Sequence, residues 1–270
     1  MSKVEGRGVA VVTGASAGIG AAYAERLAAR GFDLVVVARD AAKLSALAEK
    51  VRGGTGRSVE VLAADLTRKA DLAVVEERLR SDPAITLLLN NAGIAGGGPL
   101  VSADPDQMEA MLDLNIVAPM RLALAAAPGF AARGGTIINV ASIVPLIVER
   151  FPGVYGSTKA FLLHFSQSLH AELGSKGVRV QAVLPGATAT DLWDKSGLPL
   201  ANLPPEIVME TGAMVDAALA GLDQGELVTI PSLPDVADWE AFEAARHALG
   251  PNLSRRVPAA RLSAQAASAA

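Results

Sequence analysis

The chain has 270 residues, of which 51% are hydrophobic and 19% charged, and its formal net charge is −4; this composition excludes an intrinsically disordered protein. It has no basic block, so its charge predicts binding neither to nucleic acid nor to an anionic membrane. It also has no cysteine, which excludes disulfides, thiolate metal sites and cysteine nucleophiles and fits a cytoplasmic protein.

Short runs rich in β-branched residues alternate along the chain with longer stretches rich in alanine, leucine and charge. Seven strands are predicted, over residues 8–13, 32–38, 59–63, 85–90, 136–141, 178–184 and 227–230. Helices are predicted over 19–30, 41–51, 69–80, 106–131 and 154–174, with a loop at 53–56. This alternation predicts an α/β fold, in which a doubly wound parallel sheet is covered by helices on both faces.

A single domain is predicted over residues 1–258, with a mobile lid over 187–210 that is rich in proline and carries a short helix. Residues 259–270 are rich in alanine and serine and are predicted to be disordered. The charged N-terminus leads straight into a strand, so we do not expect a signal peptide. Apolar runs are short and broken by charge or proline, so we expect no transmembrane segment.

A glycine-rich turn over 13–20 joins the first predicted strand to the first helix. Glycines let a pyrophosphate approach the backbone, and the following helix N-terminus offers free N–H groups. The spacing Gly-x-x-x-Gly-x-Gly differs from the general dinucleotide fingerprint, and a purely structural turn is the alternative. Its position at the carboxyl end of the first strand favours nucleotide binding by Gly14, Ser16, Ala17, Gly18, Ile19 and Gly20.

Two further strand ends bear on the nucleotide. Folds that select NAD tend to carry an acid at the end of the second strand, but here Ala38 is followed by Arg39, whose guanidinium suits a 2′-phosphate. NADP(H) is therefore favoured over NAD(H), although Arg39 as a solvated loop charge is the alternative. Asp40 is interpreted as the N-cap of the next helix. Asp65, with Leu66, could reach the adenine or cap a helix, and both roles stay open.

Tyr155 and Lys159 lie four residues apart, on one face of a predicted helix. An ammonium group near a phenol lowers the phenol's pKa from about 10, so Tyr155 could transfer a proton near neutral pH. The alternative is a surface aromatic residue beside a solvated lysine. The glycine-rich turn, followed in order by Asn115 and Ser142, favours the first interpretation.

A proline supplies a hint about Asn115. Pro119 has no N–H to donate to the carbonyl of Asn115, four residues earlier, and its ring crowds that carbonyl. The helix is therefore predicted to kink there and to leave the Asn115 carbonyl free for another donor such as water. An incidental kink, or a helix that starts later, is the alternative.

Taken together and in order, the motifs at residues 13–20, 90–93, 115, 142, 155–159 and 185–186 resemble those of the short-chain dehydrogenase/reductase family. The resemblance covers residues 9–190 and implies a Rossmann-like fold and an NAD(P)-dependent oxidoreductase. It also implies a catalytic tetrad. Tyr155 would exchange the substrate proton and Ser142 would hydrogen-bond the reacting oxygen. Lys159 would lower the pKa of Tyr155 and hold the nicotinamide ribose, while Asn115 would support a water-linked proton relay.

The same resemblance implies cofactor contacts after two further strands, made by Asn91, Ala92, Gly93, Pro185, Gly186, Thr188 and Thr190. Two departures from the family pattern matter. Ala17 stands where many NADP-dependent members carry a basic residue, so the NADP(H) preference rests on Arg39. Ser142 is followed by Ile-Val-Pro instead of small residues, which implies a bulkier pocket wall.

The implied reaction transfers a hydride between the nicotinamide and a carbonyl or secondary alcohol. Pocket residues are sought in Ile94, Ala95 and residues 143–151 and in the lid, with Ser142, Val144, Phe151, Leu192, Trp193, Leu198 and Leu200 as candidates. Most are apolar, which favours an apolar substrate, although Arg150 or Lys195 could meet an anionic group. No metal site is predicted, because His164, His170 and His247 lack ligand spacing.

Three other functions are the alternatives to a carbonyl reductase or alcohol dehydrogenase. A 3-oxoacyl-thioester reductase would want a basic patch for an acidic carrier, and none is evident in the sequence. A non-catalytic dinucleotide-sensing protein would be expected to lose the tetrad. An epimerase or dehydratase usually has a longer chain with a larger C-terminal domain. Association as a homodimer or homotetramer is expected through helices 106–131 and 154–174, whose apolar positions extend beyond one face.

Overall fold

A computed structural model of the chain describes residues 6–96, 100–151, 153–191, 193 and 200–262. Seven strands form one parallel sheet in the order β3-β2-β1-β4-β5-β6-β7. They are β1 Val9–Thr13, β2 Asp33–Ala38, β3 Val59–Ala63, β4 Ile85–Asn90, β5 Gly135–Val140, β6 Val178–Val183 and β7 Val228–Thr229. The predicted doubly wound parallel sheet is confirmed, with strand bounds that differ by one or two residues.

Helices connect the strands and cover the sheet. They are α1 Gly18–Ala29, α2 Ala41–Thr55, α3 Lys69–Ser81, α4 Pro105–Leu112, α5 Ala118–Arg133, α6 Val154–Leu173, α7 Thr211–Gln224 and α8 Val236–Ala248. The last two were not predicted. The pattern for α7 was present in the sequence, because its buried residues recur at helical spacing: Met214, Val215, Ala218, Leu219 and Leu222.

The core consists of two apolar layers, one on each face of the sheet. Ala10 and Val12 lie in the layer covered by α1, α2 and α7, whereas Val11 lies in the layer covered by α3, α5 and α6. Because successive strand residues point to opposite faces, a strand buried on both sides must be apolar throughout. The near-continuous apolar runs in the sequence are the consequence.

The predicted loop at 53–56 is wrong, because α2 continues to Thr55. The Thr55 hydroxyl donates to the Val51 carbonyl at 2.7 Å. Gly56, with φ +70°, adopts the left-handed conformation, and its N–H bonds the Arg52 carbonyl. This is a common helix C-terminus, and it shows that two glycines did not suffice to end the helix.

The α-helical hydrogen bonding around Asn115 is interrupted, as the proline at position 119 predicts. Residues Asp113–Val117 form one π-helical turn between α4 and α5. Pro119 lies just after this turn and cannot donate to the Asn115 carbonyl. The alternative of a helix that starts later is excluded, because helical structure is continuous from 105 to 133.

One stretch of the described residues, Pro105–Arg133, is long and apolar enough to cross a membrane by length and composition alone. Its inner face lies in the core, where Leu122, Ala126 and Phe130 pack in the layer with α3 and α6. Core helices often meet the same criterion. Packing against the sheet therefore accounts for the apolar character of this stretch.

The chain separates into two compact units, residues 1–231 and 232–270. The first contains the sheet and α1 to α7, and the second contains α8. The single domain expected over 1–258 stays a prediction. Of the expected disordered tail, residues 263–270 lie outside the described residues.

The two ends of the predicted lid are joined. The Ala189 N–H donates to the Met209 carbonyl, and the Met209 N–H donates to the Ala187 carbonyl, each at 2.9 Å. Between these ends, the described residues include short 3-10 turns at Leu200–Asn202 and Pro205–Ile207. Residues 192 and 194–199 lie outside the described residues, among them the predicted pocket residues Leu192, Lys195 and Leu198.

Candidate functional site

Most of the predicted site residues lie at one edge of the sheet. The glycine-rich turn, Arg39, Asp65, Asn91, Ser142 and Pro185 follow the carboxyl ends of β1, β2, β3, β4, β5 and β6. The chain reverses its direction of winding between β1 and β4, which are neighbours in the sheet. Ligands of open α/β sheets bind at such a switch point, so the fold places these residues where a binding crevice is expected.

Close packing requires two glycines of the turn. Gly14 has φ +65°, and a Cβ on Gly20 would lie 2.3 Å from the Gly14 carbonyl oxygen. The Asn91 amide nitrogen donates to the Thr13 carbonyl at 2.9 Å and to the Gly14 carbonyl at 3.3 Å. The Thr13 hydroxyl in turn accepts from the Asn91 and Ala92 N–H groups. The segment after β4 therefore holds the turn in shape.

We expect Gly20→Ala to destabilise the fold by more than about 2 kcal/mol, as overpacking against rigid backbone does. Gly54→Ala is the matched control. Gly54 lies in α2 with open space around its Cβ position, so alanine there should stabilise by about 0.5–1 kcal/mol. Urea unfolding of the three proteins measures both changes. A Gly20→Ala protein as stable as the parent would contradict the close packing.

Among the described residues, no side chain caps the N-terminus of α1. Its N-cap residue, Ala17, is extended and makes no capping hydrogen bond, and the first turn holds no acid. The first N–H groups of a helix need an acceptor, and a phosphate supplies one. Thr190 lies beside this turn, since a Cβ on Gly18 would contact its methyl group at 3.2 Å. The uncapped helix and the close approach of glycine backbone fit a dinucleotide pyrophosphate.

Asn115 is fully buried, and its side chain joins two segments of the site. The side-chain Oδ1 atom of Asn115 accepts from the Ile94 N–H at 2.9 Å, and its side-chain Nδ2 atom donates to the Ile94 carbonyl at 2.9 Å. The same amide donates to the Thr158 hydroxyl at 3.0 Å, and that hydroxyl donates to the Tyr155 carbonyl at 2.8 Å. Asn115 therefore holds the segment after β4 against α6.

The sequence assigned no role to Thr158. It lies inside the turn between Tyr155 and Lys159, so its helical position was the available signal. Its hydroxyl accepts from Asn115 and donates to the backbone of α6. Thr158 thus couples the position of Asn115 to that of the Tyr155 turn.

Ser142, Tyr155 and Lys159 come together. The Ser142 hydroxyl shares a hydrogen bond with that of Tyr155. The Lys159 Nζ atom lies 5.7 Å from the Tyr155 ring centroid and donates to the Val140 carbonyl at 2.9 Å. A Cβ on Gly93 would lie 3.1 Å from the side-chain Oδ1 atom of Asn115 and 3.7 Å from Lys159 Nζ. The four residues of the implied tetrad therefore belong to one cluster.

Burial controls the protonation of this cluster. It raises the pKa of Tyr155 to about 12, against which the hydrogen bond with Ser142 acts in the lowering direction. Burial also lowers the pKa of Lys159 to about 8. Removal from water disfavours the charged form of each group. Loss of hydration sets the direction of the Tyr155 shift, and the expectation that Lys159 lowers the pKa of Tyr155 stays a prediction.

A model of the short chain dehydrogenase family matches residues 8–199 of this chain. The match covers more than half of the chain and includes every predicted catalytic and cofactor-binding residue. The chain belongs to the short-chain dehydrogenase family. It is an oxidoreductase that acts on CH–OH or C=O groups.

Two solved structures are similar along nearly the whole dehydrogenase. A short-chain dehydrogenase from Sphingobium yanoikuyae in complex with NADPH is 48% identical, with 95% of this chain and 100% of that chain covered and a TM-score of 0.92. A bulky-bulky ketone specific alcohol dehydrogenase from Comamonas testosteroni is 45% identical, with 94% and 97% covered and a TM-score of 0.85.

The very-long-chain 3-oxoacyl-CoA reductase of Anas platyrhynchos is a more distant relative. It is 35% identical over 191 residues, which are 68% of this chain. The match spans 60% of that reductase's own length. The similarity therefore extends to about two thirds of the dehydrogenase and leaves more than a third of the relative unmatched.

On the nucleotide side of the dehydrogenase, the predicted N-cap role of Asp40 is confirmed. Its carboxylate accepts from the Lys43 N–H at 3.0 Å. Arg39 is exposed beside it. An exposed guanidinium at the end of β2 is free to meet a ligand phosphate.

For Asp65, the alternative of a helix N-cap is wrong, because the N-cap of α3 is Arg68. The Asp65 carboxylate instead accepts from the N–H and hydroxyl of Thr67, at 3.0 and 2.8 Å. Partial burial raises the pKa of Asp65, but the hydrogen bonds from Thr67, with nearby Arg39 and Arg68, outweigh burial and hold this pKa below its usual value. Asp65 is thus a charged acceptor close to Arg39.

On the substrate side, the Val144 N–H donates to the Ser142 hydroxyl at 3.3 Å. Val144 and Phe151 line an apolar cavity of about 360 Å³. The wall that α6 contributes to this cavity consists mainly of small residues, namely Gly153, Val154, Gly156, Ser157 and Ala160. At 100° per residue, this face lies roughly opposite Tyr155 and Lys159, so the cavity is on the outer side of α6.

Trp193 lies at the start of the predicted lid. Its indole N–H donates to the Thr188 carbonyl at 2.8 Å. Thr188 is buried and pairs with Met209 across the two joined ends of the lid. Trp193 is therefore attached to the lid base, and its role toward substrate stays a prediction.

Proposed function

We propose that this dehydrogenase uses NADP(H) to interconvert apolar ketones, including those with two bulky substituents, and secondary alcohols. The observation that carries the proposal is the cluster of buried Ser142, buried Lys159 and half-buried Tyr155 at the carboxyl edge of the sheet. It lies at the same edge as the uncapped N-terminus of α1. A proton donor and an anion-binding helix at one edge suit reduction by a phosphorylated hydride carrier.

The cofactor assignment rests on three supports. The N-terminus of α1 would hold the pyrophosphate, and Arg39 would pair with a 2′-phosphate. A structure that is 48% identical was solved with NADPH. The remaining contacts proposed are those of Gly14, Ser16, Ala17, Gly18, Ile19, Gly20, Asp65, Leu66, Asn91, Ala92, Gly93, Lys159, Pro185, Gly186, Thr188 and Thr190.

When bound, NADPH supplies the hydride that reduces the carbonyl carbon. Ser142 and Tyr155 would donate hydrogen bonds to the carbonyl oxygen, and Tyr155 would release its proton as that oxygen becomes a hydroxyl. The burial that raises the pKa of Tyr155 keeps it protonated at neutral pH, as a proton donor must be. The Lys159 ammonium would stabilise the resulting phenolate.

Asn115 would act through its backbone. Its side chain is occupied by Ile94 and Thr158. Its carbonyl lies in the π-helical turn, where Pro119 offers no N–H. This carbonyl would accept from a water molecule that returns a proton toward Lys159 and Tyr155.

The proposed substrate class rests on the segment after Ser142. Residues 143–148 read Ile-Val-Pro-Leu-Ile-Val and carry no charge. Apolar walls suit apolar ligands. The relative from Comamonas testosteroni, 45% identical, is a bulky-bulky ketone specific alcohol dehydrogenase, which supports a ketone with two bulky substituents.

A 3-oxoacyl-thioester reductase is the second candidate. It is favoured by the similarity to the very-long-chain 3-oxoacyl-CoA reductase, 35% identical over 191 residues. Its substrate also carries an apolar chain beside the carbonyl. A thioester substrate distinguishes the two candidates, because only an acyl reductase should prefer it to a simple ketone.

Self-association as a homodimer or homotetramer is also proposed. Leu124 on α5 is exposed, and Phe161 and Phe165 stack on α6 with ring centroids 5.4 Å apart. The apolar cavity on the outer side of α6 adds Leu100 and Val148, both exposed. Exposed apolar surface of this extent, with few charges, is typical of homo-oligomer interfaces.

A substrate panel tests the proposed function. NADPH and NADH oxidation would be followed with small aldehydes, acetophenone, propiophenone and benzil-type ketones, and 3-oxoacyl thioesters. We expect NADPH with bulky aryl ketones to give the highest kcat/KM. A thioester preferred by tenfold or more would select the second candidate. NADPH binding without turnover of any compound would support a dinucleotide-sensing protein instead.

Arg39→Ala should raise the KM for NADPH by about 10- to 100-fold, since a hydrogen bond between charged groups contributes about 1.5–3 kcal/mol. The KM for NADH should change little, because NADH has no 2′-phosphate. Lys43→Ala, which removes an exposed charge four residues further along, is the matched control. An equal loss with both cofactors would show that Arg39 does not read the 2′-phosphate.

A further inference from the structure

Residues 232–262, here named the C-terminal arm, are folded but bury almost none of their own surface. The arm consists of α8, Val236–Ala248, followed by a 3-10 turn at Gly250–Asn252 and a short one at Ala260–Leu262. No residue of α8 is buried. Only Leu233, Trp239 and Glu243 within the arm are even half-buried. A helix in a protein is stabilised mainly by packing of its apolar face, and two of the three large apolar residues of α8, Val236 and Phe242, are exposed.

The apolar residues of the arm form a series. Val236, Trp239 and Phe242 recur every three residues along α8, and the Trp239 and Phe242 rings lie 5.3 Å apart. Val236 is 49% exposed and Phe242 is 51% exposed. The series continues past the helix with further exposed residues, namely Leu249, Leu253, Val257 and Leu262. Apolar patches of this kind mark interaction surfaces.

The charges of the arm are separated along its length. Four acids come first, Asp235, Asp238, Glu240 and Glu243, and four arginines follow, Arg246, Arg255, Arg256 and Arg261. Glu243 and Arg246 pair with each other at 2.7 Å at the boundary between the halves. The helix dipole explains acids at the start of α8 and a base at its end. It does not explain three arginines beyond the helix.

We propose that the C-terminal arm binds the arm of a second copy of this chain in an antiparallel, two-fold arrangement. Only an antiparallel pair sets the acidic half of each arm against the basic half of the other, as an isologous interface requires. The four acids of the arm would repel an anionic membrane or a nucleic acid, so neither is proposed as its partner.

A cross-link placed by symmetry tests the pairing, because the chain has no cysteine. Ala245 lies between the acidic and basic halves, near the expected two-fold axis, so Ala245→Cys should form a disulfide-linked dimer under mild oxidation. Ala237→Cys is the matched control. It lies two turns further, about 12 Å along the helix, so its two copies would be far apart. We expect at least tenfold faster cross-linking at 245.

Charge reversal within the Ala245→Cys protein supplies the second part of the test. One variant carries Asp238→Lys and Glu240→Lys, and the other carries Arg255→Glu and Arg256→Glu. Each variant alone should cross-link at least tenfold more slowly than the Ala245→Cys parent, because charges of the same sign then face each other. Their mixture should recover the parent rate as a mixed dimer, which differential mass labelling identifies. Unchanged carbonyl-reductase activity and circular dichroism would confirm that the variants fold.

Equal cross-linking at 237 and 245 would overturn the proposal, since it would indicate random collision. Reversed variants that cross-link as fast as the parent, or a mixture that is no faster than its components, would overturn it as well. The readout is specific to the arm. Association through α5 and α6 therefore neither produces nor hides the result.

Discussion

Replacing Tyr155 with phenylalanine should lower kcat for carbonyl reduction by about 10²- to 10⁴-fold, the usual contribution of a positioned general acid. The phenol is half-buried, bonded to Ser142 and protonated at neutral pH, because loss of hydration raises its pKa to about 12. The variant keeps the ring and loses only the proton donor. Stopped-flow single turnover with NADPH and the best ketone measures the loss. NADPH binding, followed by its fluorescence, should stay within about twofold.

The chain offers a matched control, since it has two tyrosines. Tyr23 is fully buried in α1, and its hydroxyl has no hydrogen-bond partner among the described residues. Tyr23→Phe should therefore leave kcat unchanged and should not destabilise the fold, because an unsatisfied buried hydroxyl costs free energy. If Tyr155→Phe kept more than a tenth of the parent activity, the proton donor would have to be another group.

Lys159→Met should also lower kcat for carbonyl reduction by about 10²-fold or more, because the phenolate left by Tyr155 would lose its stabilising charge. The same substitution should change how stability depends on pH. Burial lowers the pKa of Lys159 to about 8, whereas the unfolded chain keeps a pKa near 10.4. Between these values the unfolded state binds the proton and the folded state does not.

The sign follows from linkage. Stability rises with pH wherever the unfolded state binds more protons. From pH 8 to about 10.5 the parent should therefore gain about 3 kcal/mol relative to Lys159→Met, at about 1.4 kcal/mol per unit. Below pH 8 both states hold the proton and the difference should be constant. Urea unfolding of both proteins at pH 7, 8.5 and 10 measures it.

Comparing the two proteins isolates Lys159 from the other groups that titrate in this range. Tyr155, whose pKa burial raises, is present in both. Loss of the bond from Lys159 to the Val140 carbonyl is a constant cost and does not vary with pH. A difference that is flat from pH 7 to 10 would show that Lys159 keeps an ordinary pKa in the folded protein.

The sequence by itself determined the sheet, because strands buried on both faces must be apolar throughout and their runs are easily recognised. It also located the glycine-rich turn, the N-cap of Asp40 and the disruption before Pro119. Each of these depends on neighbours within a few residues. Local backbone geometry limits what such segments can do, so the residue types suffice to predict them.

Only the tertiary structure decided what depends on distant residues. The bonds of Asn115 to Ile94 and Thr158 join segments 21 and 43 residues apart, and no spacing rule predicts them. The burial that raises the pKa of Tyr155 and lowers the pKa of Lys159 is also a property of the packed chain, because a four-residue spacing indicates proximity but not burial.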